Sequence, residues 1–507
     1  MHTLHYRLLH LVQKLTFNKL EMKKILFLST IALATLTTSC KEEFLETSPT
    51  ETIGDAPLQT KLNGLYVTMI TVGSGGSTRP DHDDFGQKGY DIYTDMLAQD
   101  MVLQGVNYGW YTNLANMSAQ TDFTQLENYK PWRFYYRLIA GANDVIDELG
   151  GTGAVPSTDE EKQAMGQAKA IRAYAYFYLM QLYTKGYNAS EPAIPVYTKS
   201  QSPAGPKSSQ QEVYALIIDD LTKAVDYLDG FDRANKGMID QGVAKGLLAY
   251  AYAATEQYTL GATLAKDVMN NYGYPITSKT QAIRMAHTGT TASGGGFNDL
   301  ATPSWMWGND LAIVNGLDLI SWWGQIDVFT YSYAGAGDRK GIDLNLYNSM
   351  RADDARRNQF VVSNPNRNYP GNKFFDPNRV SFGQRQVITD YIYMRVDEFH
   401  LLAAECLAKA GQEGEAKTIL KTYLQNRITD VSYIDALSGV ALQNEIYKNT
   451  RIEFWGEGKS YLALKRNRAT VTRGANHLFL AGQSFAYDDE RMYLKIPQEE
   501  VLNNPNF

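Results

Sequence analysis

The sequence predicts a mainly α-helical protein, built from irregular, tetratricopeptide-like helical hairpins with loop-rich and short-strand insertions. Small residues lie among aromatic ones at helical spacing in three stretches, at 168–183, 242–270 and 396–427. The first contains Arg172-Ala173-Tyr174-Ala175-Tyr176-Phe177. In the second and third stretches a short break precedes another amphipathic run, which indicates two antiparallel helices joined by a tight turn. Alanine at a crossing lets two such helices approach closely. The spacing between the units varies, so they do not form a regular array of about 34-residue repeats.

Helix starts and breaks place these elements along the chain. Capping boxes, in which a side chain bonds the free amides of a helix start, are predicted at Ser157-Thr158-Asp159-Glu160 and at Ser209-Gln210-Gln211-Glu212. The breaks at Gln257-Tyr258 and Gly411-Gln412 divide the two hairpins. The predicted helical ranges are 132–145, 168–183, 209–228, 242–270 with its break, 396–427 with its break, and 444–466.

A loop-rich insertion at about 271–386 interrupts the helical pattern. Glycine clusters such as Gly294-Gly295-Gly296 punctuate it, and helical periodicity disappears. Within it, Trp305-Met306-Trp307 and Phe329-Thr330-Tyr331-Ser332-Tyr333 alternate with period two, as short strands do. The early segment 73–110 has a similar loop-rich character. Because loops on a rigid scaffold commonly carry binding sites, the insertion is predicted to form a ligand face.

Residues 1–39 are expected to be an upstream extension followed by a lipoprotein signal peptide. Met22-Lys23-Lys24 starts a basic stretch, and an apolar run over 25–36 follows it. A helix of that length spans about 18 Å, which is short of the ~30 Å hydrocarbon core of a membrane. Leu36-Thr37-Thr38-Ser39-Cys40 resembles a bacterial lipobox, so Cys40 is the predicted lipidation site. Residues 40–52 would then be a lipid-anchored tether and 53–507 the folded domain; Met22 is the expected start, and Met1 stays open.

Composition and missing motifs exclude several classes of protein. The chain has 48 basic and 55 acidic residues and a formal net charge of −7, whereas nucleic-acid binding requires a basic surface, so no nucleic-acid partner is expected. Two cysteines cannot form a disulfide framework, and no Cys-x-x-Cys pair is present for zinc. The sequence contains no His-Glu-x-x-His, Gly-x-Ser-x-Gly or phosphate-loop motif, so no catalytic residue and no cofactor are assigned.

The best metal candidate is the segment Asp81-His82-Asp83-Asp84. A calcium loop beginning at Asp81 would need oxygen ligands at the positions of Phe85 and Ile92, which have none. The failed spacing favours a solvated acidic loop over a cation site, and the metal is left unknown.

The candidate ligand contacts are aromatic. Four of the seven tryptophans lie close together in the insertion, namely Trp305, Trp307, Trp322 and Trp323. Aromatic faces stack on the C–H faces of sugar rings, and neighbouring amides can bind the hydroxyl groups. Trp110 with Asn113, in the early loop segment, offers the same combination. The alternative is an ordinary aromatic core, because tryptophan is usually well buried.

Several short motifs recur in one order along the mature chain. They are Cys40 followed by Phe44-Leu45-Glu46-Thr47-Ser48-Pro49-Thr50, the tyrosine-rich helix at 168–182, Ala193-Ile194-Pro195-Val196, the pattern at 395–405, and Arg451-Ile452-Glu453-Phe454 with Glu457-Gly458. Together they resemble the SusD/RagB family of nutrient-binding outer-membrane lipoproteins of Bacteroidetes. Ser460 and Ala463 depart from the family pattern, in which arginine and aspartate are usual, and this puts one expected ion pair in doubt.

The resemblance implies a SusD-like fold and a non-catalytic role at the cell surface. Such a protein captures an oligosaccharide or polysaccharide and delivers it to a SusC-like TonB-dependent β-barrel transporter of the outer membrane. It would contact the membrane through its lipid anchor only and face the exterior, in keeping with Lys41-Glu42-Glu43, which is similar to a surface-export signal. By analogy with the family, Trp110 and Asn113 would contact the ligand.

Two alternatives stay open. The same scaffold could capture a peptide or another non-glycan nutrient in a different pocket. A surface glycoside hydrolase would need two carboxylates that face each other in a cleft. The aromatic, glycine-rich insertion favours carbohydrate over peptide, and the missing catalytic motifs count against the enzyme.

Overall fold

The computed structural model describes residues 56–77, 81–283, 295–364, 367–377, 380–383 and 386–507. Cys40, the signal peptide and the tether, which the sequence predicts, lie outside these residues. From Leu58 to Phe507 the chain forms one unit. None of the helices in the described ranges has both the length and the apolar character needed to cross a bilayer.

Helices dominate the described chain, and short two-stranded sheets lie between them. The helices are α1 Leu58–Thr68, α2 Gln87–Leu97, α3 Thr112–Ala115, α4 Ser118–Thr121, α5 Leu126–Glu148, α6 Asp159–Tyr183, α7 Gln210–Tyr227, α8 Gln241–Ala254, α9 Tyr258–Asn271, α10 Lys279–Ala282, α11 Trp322–Ile326, α12 Leu344–Ser349, α13 Asp397–Lys409, α14 Glu413–Leu424, α15 Gly439–Glu453, α16 Ser460–Arg466 and α17 Gln498–Asn503. The strands are β1 Met101–Leu103, β2 Trp305–Asn309, β3 Lys340–Ile342, β4 Val361–Asn364, β5 Arg367–Tyr369, β6 Tyr391–Arg395, β7 Thr470–Thr472 and β8 Ser484–Ala486.

The mainly α-helical fold predicted from the sequence is confirmed. Both predicted breaks separate two helices, α8 from α9 and α13 from α14. The capping box of Ser209 with Glu212 opens α7 as predicted. The other capping box lies one residue later than predicted, because Thr158 and Glu161 form it at the start of α6.

Two local predictions are wrong. The range 444–466 is not one helix but two, α15 and α16, because the chain turns between them through Gly456 and Gly458 at positive φ. The segment 329–333 forms bends and turns rather than a strand. Its Ser332 hydroxyl accepts a hydrogen bond from the backbone N–H of Gly335 (2.8 Å), a local contact that competes with strand pairing. The other predicted strand, around Trp305–Asn309, is confirmed as β2.

Small residues let the hairpin helices come close, as the alanine pattern predicts. An ideal Cβ on Gly261 of α9 would lie 3.3 Å from the carbonyl oxygen of Ala249 in α8. The same atom would lie 3.1 Å from the Sγ atom of Cys406 in α13. A side chain at this position would therefore push α9 away from both neighbours.

Two antiparallel strand pairs attach the insertion to the rest of the chain. In one pair Trp305 of β2 lies opposite Arg395 of β6. In the other, β1 from the early segment pairs with β3 from the insertion, so that Leu103 lies opposite Lys340. The early segment and the insertion, which are distant in the sequence, are therefore neighbours in the fold.

A buried network of charges joins the insertion to the C-terminal helices. Four cations, Arg356, Lys373, Arg395 and Arg427, meet four carboxylates, and all eight residues are buried. The shortest atom pairs are Arg395–Glu457 2.7 Å, Lys373–Glu457 2.7 Å, Arg395–Asp397 2.8 Å, Arg356–Asp354 2.8 Å, Arg395–Glu453 3.1 Å, Arg427–Glu453 3.1 Å, Arg427–Asp397 3.1 Å and Arg356–Glu453 3.2 Å.

Glu453 lies at the centre of this network, because three arginines contact its carboxylate. Burial alone would raise the pKa of Glu453, but the charges of Arg427, Arg395 and Arg356 outweigh burial and hold the pKa well below its usual value of 4.5. A carboxylate with a lowered pKa in the folded state stabilises the fold above the unfolded-state pKa. That contribution is lost as the pH falls through the folded-state pKa.

Replacing Glu453 by Gln should lower the free energy of unfolding at neutral pH by about 3–5 kcal/mol, since three buried arginines would lose a counter-charge. The deficit should shrink as the pH falls below 4.5 and towards the folded-state pKa, because the unfolded wild type then takes up a proton that the folded carboxylate does not. Chemical denaturation over a range of pH measures both effects. Glu490→Gln, at an exposed carboxylate, is the matched control. Equal stability of Glu453→Gln and wild type at neutral pH would contradict the role given to the network.

Candidate ligand-binding site

The early loop and the insertion meet beside the β1–β3 pair. The carboxylate of Asp338 accepts hydrogen bonds from the backbone N–H groups of Asn107 (2.5 Å) and Tyr108 (2.9 Å). The Asn107 side-chain amide also donates to the carbonyl oxygen of Ala336 (2.8 Å). Asp338 is buried, so these bonds to a charged acceptor fix the loop that leads into Trp110.

Glycine permits this close approach of the two loops. A Cβ on Gly105 would overlap the carbonyl oxygen of Gly337, and a Cβ on Gly337 would overlap the side-chain amide of Asn107. Gly337 also has a φ of +121°, which other residues rarely adopt. Side chains at these positions would separate the two loops.

Four aromatic rings from the two loops form a cluster: those of His82, Tyr108, Trp110 and Tyr333. We call this cluster and the cavity beside it the Trp110 site. Trp110 stacks on the His82 imidazole, with ring centroids 4.8 Å apart and an interplanar angle of 15°. Tyr333 of the insertion meets Trp110 edge-on at 6.5 Å and Tyr108 at 5.1 Å. His82 covers one face of the indole. Trp110 stays half-buried and lines the adjoining cavity.

The side chains of His82 and Tyr333 are uncharged at neutral pH. Burial lowers the pKa of His82 and raises the pKa of Tyr333 to about 12. The Nδ1 atom of His82 contacts the Tyr333 hydroxyl. A hydrogen bond between two uncharged groups therefore ties the early loop to the insertion under the indole.

A cavity of about 330 Å³ opens beside Trp110. Tyr111, at a φ of 65°, turns the chain before α3 and lets Trp110 and Asn113 line the same cavity. The Asn113 amide donates to the side-chain oxygens of Gln125 and Glu127, both at 3.1 Å. Burial raises the pKa of Glu127. The two early-segment residues predicted from the sequence are thus brought together, with amide and carboxyl groups beside an aromatic face.

The acidic segment at 81–84 is not the solvated loop that its sequence favours. Lys130 of α5 contacts Asp83 (Nζ–Oδ1 2.7 Å) and Asp81 (Nζ–Oδ2 3.2 Å). Asp83, Asp84 and Lys130 are buried. Burial favours a lower pKa for Lys130, but the negative charges of Asp83 and Glu127 outweigh it and raise that pKa. The ammonium group satisfies these carboxylates, and the described ranges contain no group of three side chains arranged to hold a metal ion.

The buried side chain of Lys340 supports the residues around the Trp110 site. Its ammonium lies 4.9 Å from the centroid of the Tyr111 ring and donates to Gln325 Oε1 (2.7 Å). The Gln325 amide in turn donates to the carbonyl oxygen of His82 (2.9 Å). Burial lowers the pKa of Lys340 to about 7. This chain of bonds is a further link between the early loop and the insertion.

The four tryptophans of the insertion do not form a ligand surface, which corrects the prediction made for them. Trp305, Trp307, Trp322 and Trp323 are at most 2% exposed and belong to the core. The indole N–H groups of Trp305, Trp307 and Trp323 donate to backbone carbonyl oxygens, and the Lys88 ammonium lies 4.2 Å from the Trp322 ring. Packing and internal hydrogen bonds therefore use both the faces and the polar edges of these rings.

Sequence reasoning missed His82, Tyr108 and Tyr333 as members of the site. Tyr333 contacts His82 across 251 positions of sequence, and no local pattern relates the two residues. The available signal is indirect: both loop-rich segments contain aromatic residues that the sequence offers as ligand contacts. The pairing of β1 with β3 is what brings them together.

Two family models match the chain, and together they cover most of it. Residues 43–235 match a model described as "Starch-binding associating with outer membrane", and residues 331–507 match one described as "SusD family". The chain is similar to the SusD-like protein of Bacteroides ovatus, with 26% identity over 273 residues that cover 50% of this chain and 45% of that protein. SusD-like protein P25 of Formosa agariphila is 28% identical over 164 residues, which cover 31% of this chain and 29% of that protein. The chain thus spans less than half the length of the curated relatives it matches.

Solved structures share the fold. A SusD-like carbohydrate binding protein from Bacteroides vulgatus superposes with a TM-score of 0.73 at 22% identity, covering 89% of this chain and 96% of that one. Surface glycan-binding protein A from Bacteroides thetaiotaomicron superposes with a TM-score of 0.64 at 15% identity, covering 89% and 98%. At these identities the likeness establishes the architecture only.

Asp338→Ala should release the loop that carries Trp110, since two backbone N–H groups lose a charged acceptor. Each such bond contributes about 1.5–3 kcal/mol. Amide hydrogen exchange at Asn107 and Tyr108 should accelerate by at least about tenfold, while exchange in α6 stays unchanged. Asp232→Ala, at an exposed carboxylate, is the matched control. Unchanged protection of both amides in Asp338→Ala would show that other contacts hold the loop.

Proposed function

Because the chain belongs to the SusD/RagB family, we propose that it is a cell-surface protein that binds carbohydrate without transforming it. Trp110 is the principal ligand contact in this proposal. The ligand is an oligosaccharide or a segment of a polysaccharide.

The observation that carries the proposal is the half-buried Trp110 indole, stacked on His82 and bordered by a cavity of about 330 Å³. A rigid aromatic face packs against the C–H face of a sugar ring, and its support from behind reduces the ordering that binding would otherwise require. Asn113 and Gln125 supply amide groups at the rim of the same cavity. Hydroxyl groups of a sugar can both donate to and accept from such amides.

The proposal extends to location and to a partner. The predicted lipidation at Cys40 would hold the protein on the outer membrane, with the folded domain facing the exterior. A SusC-like TonB-dependent transporter would receive the ligand. The packed helical hairpins provide a rigid surface that suits a permanent partner, and the loops of the Trp110 site stay free for the ligand.

A glycoside hydrolase is the second candidate, and one observation favours it. Glu127 has a raised pKa and shares the cavity with Asp81 and Asp83, as a catalytic acid shares a cleft with a second carboxylate. Against it, both aspartates contact Lys130, and Glu127 accepts a hydrogen bond from Asn113. These contacts hold the carboxylates of Asp81, Asp83 and Glu127 in place, which fits a structural role better than the role of a catalytic pair.

Trp110→Ala should weaken binding of a neutral polysaccharide by about tenfold to a hundredfold, since about 1–3 kcal/mol of stacking is lost. Trp110→Phe should keep part of the affinity. Calorimetry of the folded domain against a panel of polysaccharides and peptides measures this. Phe382→Ala, at an exposed ring outside the cavity lining, is the control.

The outcomes of this screen separate the candidate functions. Glycan binding that survives Trp110→Ala unchanged would overturn the choice of site. Binding of peptides alone would overturn the ligand class. Release of shorter sugars by the wild type, lost in Glu127→Gln, would replace the binding protein with the hydrolase.

Cys40→Ala should move the full-length protein from the membrane fraction to the soluble fraction, because the acyl chains that anchor it could not be attached. Fractionation of cells that express the variant tests this, and Cys406→Ala is the control because Cys406 is buried in the core. Membrane retention of Cys40→Ala would refute the lipid anchor. Co-purification of a β-barrel transporter with the wild type would support the partner.

A further inference from the structure

A second cavity, of about 590 Å³, lies on another face of α5. Leu126, Glu127 and Lys130 of this helix line the Trp110 site, whereas Tyr129, Arg133 and Arg137 line the second cavity. The latter three follow one another at intervals of four residues, which places them on one stripe of the helix. We call this second cavity the Arg137 cavity.

Hydrogen bonds from the buried Asn143 of α5 hold the wall of the cavity that lies opposite this helix. The Asn143 amide donates to the carbonyl oxygens of Tyr197 (3.0 Å) and Lys199 (3.2 Å). Arg172 Nη1 donates to Asn143 Oδ1 (2.7 Å), and the same guanidinium is held by Asp220 (2.8 Å). Asn143, Arg172 and Asp220 are fully buried. The segment that carries Tyr197 and Lys199 is therefore fixed against α5.

The Arg137 cavity gathers positive charge in an acidic protein. Arg133, Arg137 and Lys199 are exposed at its lining. Within the described ranges no ion pair joins any of these three cations to a carboxylate, although the chain as a whole carries a net charge of −7. Glu500 is the one carboxylate of the lining, and it accepts a hydrogen bond from the Asn504 amide (2.7 Å).

Tyrosine rings form the rest of the surface. Tyr129, Tyr136 and Tyr197 are half-buried, so that part of each ring faces the cavity. The rings of Tyr136 and Tyr197 are 5.8 Å apart and inclined by 62°. Two inclined rings do not form the parallel slot that clamps a flat nucleobase, and they suit a puckered sugar ring.

We propose that the Arg137 cavity binds an acidic saccharide, in which carboxylate or sulfate groups contact Arg133 and Arg137 while a sugar ring packs against the tyrosines. Guanidinium groups bind planar carboxylates and sulfates through paired N–H donors. The volume lies within the range of small-molecule sites, about 300–1,000 Å³. This binding is separate from that at the Trp110 site, since the two cavities share no lining residue.

The test compares an acidic oligosaccharide with its own neutral form. Oligogalacturonate and the methyl-esterified oligomer have the same rings and differ in charge. Calorimetry on the folded domain should give at least about tenfold tighter binding of the acid than of the ester. The double variant Arg133→Gln with Arg137→Gln should lose about tenfold or more for the acid, and Arg137→Lys should recover part of it.

Controls separate this inference from the proposed function. Lys279→Gln removes an exposed cation elsewhere and should leave the affinity unchanged. Trp110→Ala should also leave binding of the acid unchanged, even if it abolishes binding of a neutral glycan.

Any one of three results would overturn the inference. The first is equal affinity for the acid and the ester, and the second is no measurable binding of either oligogalacturonate or a sulfated oligosaccharide. The third is unchanged affinity for the acid in the double arginine variant. Loss of acid binding in Trp110→Ala alone would assign the acidic ligand to the Trp110 site instead. Thermal melting of each variant confirms that the fold is intact, as expected for exposed side chains.

Discussion

The buried charge network around Glu453 is the constraint on which the rest of the structure depends. Guanidinium and carboxylate groups are stable away from water only while each keeps its partners. These partners come from separate parts of the chain: Arg356 and Lys373 belong to the insertion, and Arg395 ends β6. The network therefore fixes the insertion on the C-terminal helices. Through the pairing of β6 with β2, it also fixes the tryptophan core.

The ligand loops depend on this scaffold but are held by different contacts. Asp338 fixes the early loop through two backbone N–H groups, and Lys340 supports it through Gln325. The residues that carry the family resemblance, such as Arg395 and Glu453, lie instead in the charge network. The resemblance therefore identifies the scaffold directly, and the ligand must be argued from the loops.

The sequence predicts the helices well because their pattern is local. The spacing of apolar residues and the capping residues both lie within a few turns of one helix. The prediction at 444–466 fails where two glycines, Gly456 and Gly458, change the direction of the backbone. Burial of the insertion tryptophans depends on distant partners, since Trp307 packs against Tyr174 of α6 and Tyr393 of β6 and Trp322 packs against Phe374. For the same reason Trp110 and Asn113 were within reach of sequence reasoning, being three residues apart, whereas Tyr333 was not.

One helix, α5, lines both proposed sites. Its cation is buried at the Trp110 site and its cations are exposed at the Arg137 cavity. Lys130 is buried and neutralised by two aspartates, so it shapes the Trp110 site without attracting anions. Arg133 and Arg137 are exposed and keep their charge available at the other cavity. Charges in water act over only about 8 Å at physiological salt. A net charge of −7 spread over the whole chain therefore does not oppose an acidic sugar beside two arginines that form no ion pair within the described ranges. A neutral and an acidic saccharide can accordingly bind the same chain at two separate sites.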